Sequence, residues 1–405
     1  MDHITISLRN LLRNYKRTML TLSVLVLGIV GMLVYAGYID FSMWGYREET
    51  ISGGLGHLRV YHSGYNTRGG ESYLDYLMEN EKDVYRELIR NKGIREITSE
   101  LEINGLVSNG NTSEMTMSRG YDTDSVSVIR NSFTLKEGSF VTNGGTYQIA
   151  LGVLLAEKLD ARVGSYLTYM TTTRHGALNA IDLEVVGILE TGLKEYDERL
   201  SVMSIETAKL LLDVEAADKF IVMLENTDDV PAIAKEFKKK TAALDIEVKT
   251  WDELAQFYNQ VKAMNESYFL ITQMIILVIV AFSIINTMRM VIYERMREIG
   301  TLRAIGMTKT GMVTMFMTEG LWLGIFAVIF GIAAAHLVAW IINVSGGIYI
   351  SPPPGQSNGY HAMIRPDMIR YFQAAAIVIG STIVGSLVPA IRAAGLKIDE
   401  SLRYI

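Results

Sequence analysis

Four long apolar runs constrain this chain more than any other feature in it. A helix that crosses a bilayer needs about 20 mostly apolar residues. The first run, Met19–Ile39 (MLTLSVLVLGIVGMLVYAGYI), carries no charge. The second is Phe269–Met288 (FLITQMIILVIVAFSIINTM). The third covers Leu321–Ile342 and contains His336; the fourth covers Phe372–Val388 and is followed by Pro389. With their flanks, the predicted spans are 19–40, 268–290, 317–343 and 368–389. Hydrophobic residues make up 49% of the chain and charged residues only 20%, which fits a protein partly in membrane and partly in water. A basic stretch before an apolar run also describes a cleaved signal peptide. The first run is longer than the usual hydrophobic region and no clear A-x-A site follows it, so a retained anchor is expected.

Lysine and arginine near span ends set the orientation, because they stay on the cytoplasmic side. Arg9, Arg13, Lys16 and Arg17 precede the first span. Arg289, Arg295, Arg297, Arg303 and Lys309 lie between the second and third, and Arg392, Lys397 and Arg403 follow the fourth. The connection from Asn343 to Pro366 carries only Arg365. Both termini and the segment 291–316 are therefore expected inside, with 41–267 and the short loop 344–367 outside. Residues 1–18 read as a cytoplasmic amphipathic helix on the inner leaflet, with Ile4, Leu8, Leu11 and Leu12 on one face. A plain basic flank that orients the first span explains the same residues, and the pattern does not separate the two.

The external segment is long enough for a folded domain. His57–His62 (HLRVYH) alternates like a strand, and NEKDVYRELIRNKG reads as a helix stopped at Gly93. Two strands follow around a turn at Asn109–Gly110. Later, KFIVMLEN, VPAIAKEFKKKTAAL and IEVKTW read as strand, helix and strand. Strand–helix–strand thus occurs twice, around a β-rich middle from about Phe133 to Leu212. The expected fold class is a membrane α-helical part with four spans plus a large extracytoplasmic α+β domain of two subdomains. Within the middle, RVGSYLTYMTTT and AIDLEVVGILE look like a hairpin around a loop at Thr173–Ala180. That loop (Thr173, Arg174, His175, Gly176, Ala177, Leu178, Asn179) is a candidate partner contact or simply a connection.

Motifs for chemistry are missing. There is no G-x-x-x-x-G-K-[ST] phosphate loop, and Gly53–Gly56 (GGLG) reads as a turn. Neither G-x-S-x-G nor H-E-x-x-H occurs, so no catalytic residue is assigned. His57 and His62 fall on opposite faces of one strand and make a poor metal pair; no metal site is expected. His336 sits inside a span, where an ionisable side chain suggests function; a neutral histidine bonded to a neighbouring helix is the expected arrangement. Lys238–Lys240 is a solvated helix face. A net charge of -6 argues against a nucleic-acid partner, and the absence of cysteine removes disulfide and thiolate chemistry.

The most ordered-looking connection is Glu294–Met312 (ERMREIGTLRAIGMTKTGM), between the second and third spans. The second span is expected to continue as helix to Ile299, with Gly300 as a joint at about 1 kcal/mol relative to alanine. TLRAI then forms a short helix with Gly306 as C-cap, and Thr308 caps the next helix. A rigid lever between two glycine joints results.

This stretch, ERMREIGTLRAIGMTKTGMVTMFMTEGLWLG, resembles the signature region of the FtsX-like (MacB-type) permease superfamily of ABC-transporter membrane subunits. The tail PAIRAAGLKIDESLRYI resembles the family's ending, and LGVLLAEKLDARVGSYLTY and WDELAQFYNQ look most like its lipoprotein-releasing branch. The resemblance implies one span, a MacB-like periplasmic domain, then three spans, in a bacterial inner membrane. It implies that Glu298, Gly300, Thr301, Leu302, Arg303, Ala304, Gly306 and Met307 form the coupling helix that seats in a separate ATPase. ATP and Mg would sit on two copies of that ATPase, with no cofactor on this chain. A second permease copy or paralogue, a lipid or lipoprotein, and a periplasmic carrier or adaptor protein are the other implied partners. The family branch that recruits a carrier can have a longer loop where the short Thr173–Ala180 loop stands. The implied function is ATP-driven extraction of lipoprotein, lipid or another amphiphile. Mechanical activation of a periplasmic cell-wall hydrolase and tripartite efflux are the alternatives.

Overall fold

The computed structural model describes residues 7, 9–11, 13, 15–67, 73–122, 130–142, 145–241, 244–351 and 359–396. In chain order, helix α1 (Tyr15–Thr50) leads to β1 (Leu58–His62), α2 (Glu81–Ile89) and β2 (Ile94–Ser108). Strands β3 (Ser113–Tyr121), β4 (Thr134–Gly138), β5 (Gln148–Gly152), β6 (Tyr166–Thr172), β7 (Leu178–Glu190) and β8 (Leu200–Ser204) follow. Then come α3 (Ile205–Leu212), β9 (Lys219–Leu224), α4 (Val230–Lys240) and β10 (Ile246–Thr250). The chain closes with α5 (Gln256–Glu294), α6 (Met296–Ala304), α7 (Lys309–Val344) and α8 (Met368–Gly395). Two compact units result: a helical unit of Met1–Trp44, Val261–Ile350 and His361–Ile405, and a sheet unit of Gly45–Gln260 and Ser351–Tyr360.

Among the described residues, α1, α5, α7 and α8 are the four helices long and apolar enough to cross a membrane. Their buried faces form one cluster that includes Leu25, Ile29, Leu33, Ile284, Phe316, Leu323 and Ala374. α7 lies close to α8 because Gly320 and Gly324 present no side chain there. A Cβ on Gly320 would meet Ser386 Oγ, and one on Gly324 would stand 2.6 Å from Thr382 Oγ1. Small residues four apart let helix backbones approach in lipid. At one end of this bundle, Arg370 of α8 binds Asp40 of α1 at 2.8 Å and lies 4.6 Å from the centre of the Phe269 ring. His336 stacks on Tyr371 of the neighbouring α8, with ring centres 5.4 Å apart, and its Nε2 lies 3.4 Å from the Tyr371 hydroxyl. Pro389, which follows the fourth apolar run, lies inside α8, and the helix runs on to Gly395. Proline removes its own amide bond and its ring crowds the carbonyl of residue i−4, here Gly385, which kinks a helix without having to end it.

In the sheet unit, ten strands run in the order β10-β1-β9-β2-β3-β8-β5-β7-β4, and β6 bridges β2 and β7. The two expected strand–helix–strand motifs interleave as β10-β1-β9-β2. Strands β2, β3, β8, β5, β7 and β6 close on themselves into a small barrel. The two halves are not separate sheets. β2 is long enough for both: Ile94–Glu100 pairs with β9, and Leu106–Ser108 pairs with β6. Closure leaves those strands without free edges. The barrel holds Leu101, Ile103, Ile149, Leu151, Leu183, Val185 and Met203, with Ala208 and Leu211 of α3 in the same cluster. Where α3 crosses β3, a Cβ on Gly120 would stand 2.5 Å from Ala208, so only glycine fits. In the other half, Leu58, Val60, Phe220 and Val222 pack with Val84 and Leu88 of α2 and Phe237 of α4.

A buried charge cluster lies inside this sheet, with Lys219, Glu100 and Asp218 all buried. Lys219 lies between Glu100 (3.3 Å), Glu102 (3.2 Å) and Asp218 (3.3 Å). Burial disfavours the ammonium, but the Asp218 and Glu100 carboxylates outweigh it and hold its pKa well above the ordinary lysine value.

Candidate functional site

The connection between α5 and α7 is built by short-range rules. α5 ends at Glu294, and the backbone turns at Arg295 (φ -100°, ψ 16°). Arg295 N still donates to Val291 O and Ile299 N to Arg295 O, so the bend loses little hydrogen bonding. The joint is therefore at Arg295 and not at Gly300, which is buried within α6. A glycine inside a helix costs about 1 kcal/mol, whereas burying each of Met296 and Ile299 contributes about 1.5–3 kcal/mol, so packing decides. α6 ends in a Schellman motif: Gly306 N donates to Arg303 O (3.1 Å) and Met307 N to Leu302 O (3.0 Å). Gly306 has φ +110°, which suits glycine there. Leu302 and Met307 lie half-buried against the helical core, the apolar contact that accompanies this motif. Thr308 caps α7 by accepting from Gly311 N at 3.1 Å.

Charge fixes α6 to its surroundings. Glu298 accepts from Arg13 Nη2 at 2.7 Å and from Arg295 Nε at 2.9 Å. Burial alone would raise its pKa; the bonds from Arg295 and Arg13 outweigh that and hold it below the ordinary value. Arg295 is buried and also faces Glu319 of α7, and Arg17 pairs with Glu294. Before α1, Ser7, Asn10 and Leu11 are buried while Arg9 and Arg13 are exposed, and Ser7 Oγ donates to Met315 O at 3.2 Å. That segment has a protein face against α7; Ile4, Leu8 and Leu12 of the expected amphipathic face lie outside the described residues. Arg303 turns away from solvent. Its Nη1 donates to Ala394 O (2.9 Å) and Leu396 O (2.8 Å) at the end of α8.

The expected coupling residues therefore divide. Thr301, Ala304 and Gly306 are exposed, and Glu298 is partly so. Gly300, Leu302, Arg303 and Met307 face the fold. The most exposed apolar side chain of the segment was not among them: Ile305 is 80% exposed. The helix phase identifies it, since Met296, Ile299 and Gly300 mark the inward face and Ile305 falls off it.

The Thr173–Asn179 loop is tied down. Thr173 N and Ala177 O bond at 2.8 Å, and Gly176 takes φ +83°. Arg174 N donates to Leu212 O, its guanidinium pairs with Glu79 at 3.3 Å, and Asn179 Nδ2 donates to Leu210 O and Leu211 O at the end of α3. Leu178 and Asn179 already belong to β7, so the exposed turn is His175, Gly176 and Ala177.

Residues 271–398 match the FtsX-like permease C-terminal family, and residues 18–240 match the MacB-like periplasmic core domain. The chain is 27% identical over 278 residues to a lipoprotein-releasing system transmembrane protein LolC of Neisseria meningitidis serogroup B, covering 64% of this chain and 66% of that one. It is 25% identical over 298 residues to a protein of the same name from Xylella fastidiosa, covering 69% of this chain and 70% of that one. A crystal structure of the periplasmic region of MacB from Actinobacillus actinomycetemcomitans aligns with 52% of this chain and 95% of its own, at 13% identity and a TM-score of 0.38.

Proposed function

Because the chain belongs to the FtsX-like permeases that carry a MacB-like periplasmic core domain, we propose that it is the membrane subunit of an ABC transporter driven by a separate ATPase. The observation that carries this reading is α6. It is a short capped helix between two membrane-length helices, anchored inward by Met296, Ile299 and Gly300, with Thr301, Ala304 and Ile305 outward. The outward face is the docking surface for the ATPase, which binds ATP and Mg; the permease supplies none of that chemistry. Two ATPase copies serve a pair of permeases, this chain with a second copy or a paralogue. The termini and α6 lie in the cytoplasm, and the sheet unit lies outside the inner membrane. The arginines before α1 and around α6 support that orientation.

The cargo is a lipoprotein or a related membrane amphiphile. The 27% identity to a protein named for lipoprotein release supports this choice of substrate. The test is co-purification from membranes of the full chain and of Ile305→Asp at equal expression. Wild type should bring down a chain that contains a phosphate-binding loop and hydrolyses ATP, and the variant should recover at least tenfold less. Reconstituted wild-type complex should then release an acylated lipoprotein from liposomes with ATP and not without it. Equal recovery by both chains would remove α6 as the docking surface, and ATP-independent release would remove the transport reading.

A further inference from the structure

Arg303 and Ala394, one in each of the two stretches that carry the family resemblance, are 91 residues apart in sequence and meet in the fold. Arg303 joins the two stretches. Its Nη1 donates to Ala394 O at 2.9 Å and to Leu396 O at 2.8 Å. Carbonyls at a helix C-terminus have no amide of their own helix to accept from, and they carry the negative end of the helix dipole. A guanidinium is well matched to that place. Ile299 of α6 and Ala390, Ala393 and Ala394 of α8 also belong to one buried cluster. α6 is thus held to α5 and α7 by the chain itself and to α8 by a charged clasp.

We propose that Arg303 is a positioning residue that passes the displacement of α6 on to α8. The consequence rests on α6 being the ATPase docking helix; the clasp does not. An ATPase pulling on α6 would then move the end of α8 with it, and not only the two helices that flank α6 in sequence. Both bonds come from a single nitrogen. The lysine ammonium can therefore replace them with shorter reach, while methionine keeps the aliphatic stem and donates nothing.

The chain has no cysteine, so single labels can be placed without background. The first arm uses the full chain in nanodiscs, with spin labels at Thr301→Cys and Arg392→Cys, both exposed. Wild type should give a narrow distance distribution, Arg303→Met one at least twice as wide, and Arg303→Lys an intermediate width. Equal widths in all three would overturn the clasp, and the lysine variant decides the matter if the methionine variant fails to insert. The second arm adds the purified ATPase and traps it with ADP and vanadate, with labels at Met19→Cys and Arg392→Cys. Trapping should shift the α1–α8 distance in wild type. In Arg303→Met the shift should vanish while the amount of bound ATPase stays the same. An undiminished shift in Arg303→Met would overturn the relay. Absence of any bound ATPase on wild type would instead refute the docking reading and leave the first arm to decide the clasp.

Discussion

Arg295 Nη1 and Glu319 Oε1 stand 3.7 Å apart, and both side chains are more than nine-tenths buried. This pair ties the joint before α6 to the first turns of α7. Removing one member of a buried pair leaves a charge without compensation, at a cost of about 3–5 kcal/mol, whereas replacing both with apolar residues is often neutral. Glu319→Leu should therefore destabilise the chain strongly, with Glu298 softening the loss because it still binds Arg295 at 2.9 Å. Arg295→Met combined with Glu319→Leu should recover most of it. Denaturant midpoints of the purified chain in micelles check this; a double variant no better than Glu319→Leu contradicts it.

The contact of α7 with α8 depends on two missing side chains. Gly320→Leu forces carbon into the space of Ser386, and overpacking of this kind costs about 1–3 kcal/mol. Gly380→Leu is the matched control, because a Cβ there meets nothing within 4 Å. Thermal unfolding in micelles should drop for the first and hold for the second. Equal behaviour would mean that α7 and α8 do not pack through Gly320.

His57 gives the sheet unit a pH dependence. Its Nδ1 accepts from Leu224 N at 3.1 Å, and its Nε2 faces Thr227 Oγ1 at 3.0 Å. Burial is the main cause that lowers its pKa from the ordinary 6.5; Glu48 opposes it and Arg95 and Arg47 add to it. The folded state then binds fewer protons than the unfolded one below that value. The stabilisation is present above pH 6.5 and is lost as pH falls below it, through the lowered folded-state pKa. Hydrogen exchange at Leu224 in wild type and His57→Asn, compared at equal pH, removes the intrinsic rate change. The protection ratio of wild type to variant should fall as pH falls; a constant ratio would contradict the assignment.

Much of this arrangement was legible in the sequence. The four spans are long and nearly uncharged, so length alone identifies them. The turn before β3, the Thr308 cap and Gly306 were readable because each depends on a few adjacent residues. Barrel closure was not, since β6 pairs with β2 across some 60 residues and nothing local records it. Gly300 misled for a related reason: its local propensity is outweighed by the burial of the neighbours around it. Arg303 reads as a surface cation until the carbonyls of Ala394 and Leu396 arrive from the far end of the chain. Ile305 was readable from helix phase, since it falls opposite Met296, just past the last residue of α6.

The central claim is that the outward face of α6 seats in an ATPase. Photo-crosslinking from a benzophenone side chain placed at Ile305, in membranes of cells that make the full chain, tests it most directly. The same group at Leu178, 81% exposed in the sheet unit, is the comparison. The predicted result is an adduct from position 305 whose partner contains a phosphate-binding loop, and no such adduct from position 178. A chain that crosslinks to no ATPase at 305, or equally at both positions, would contradict the account.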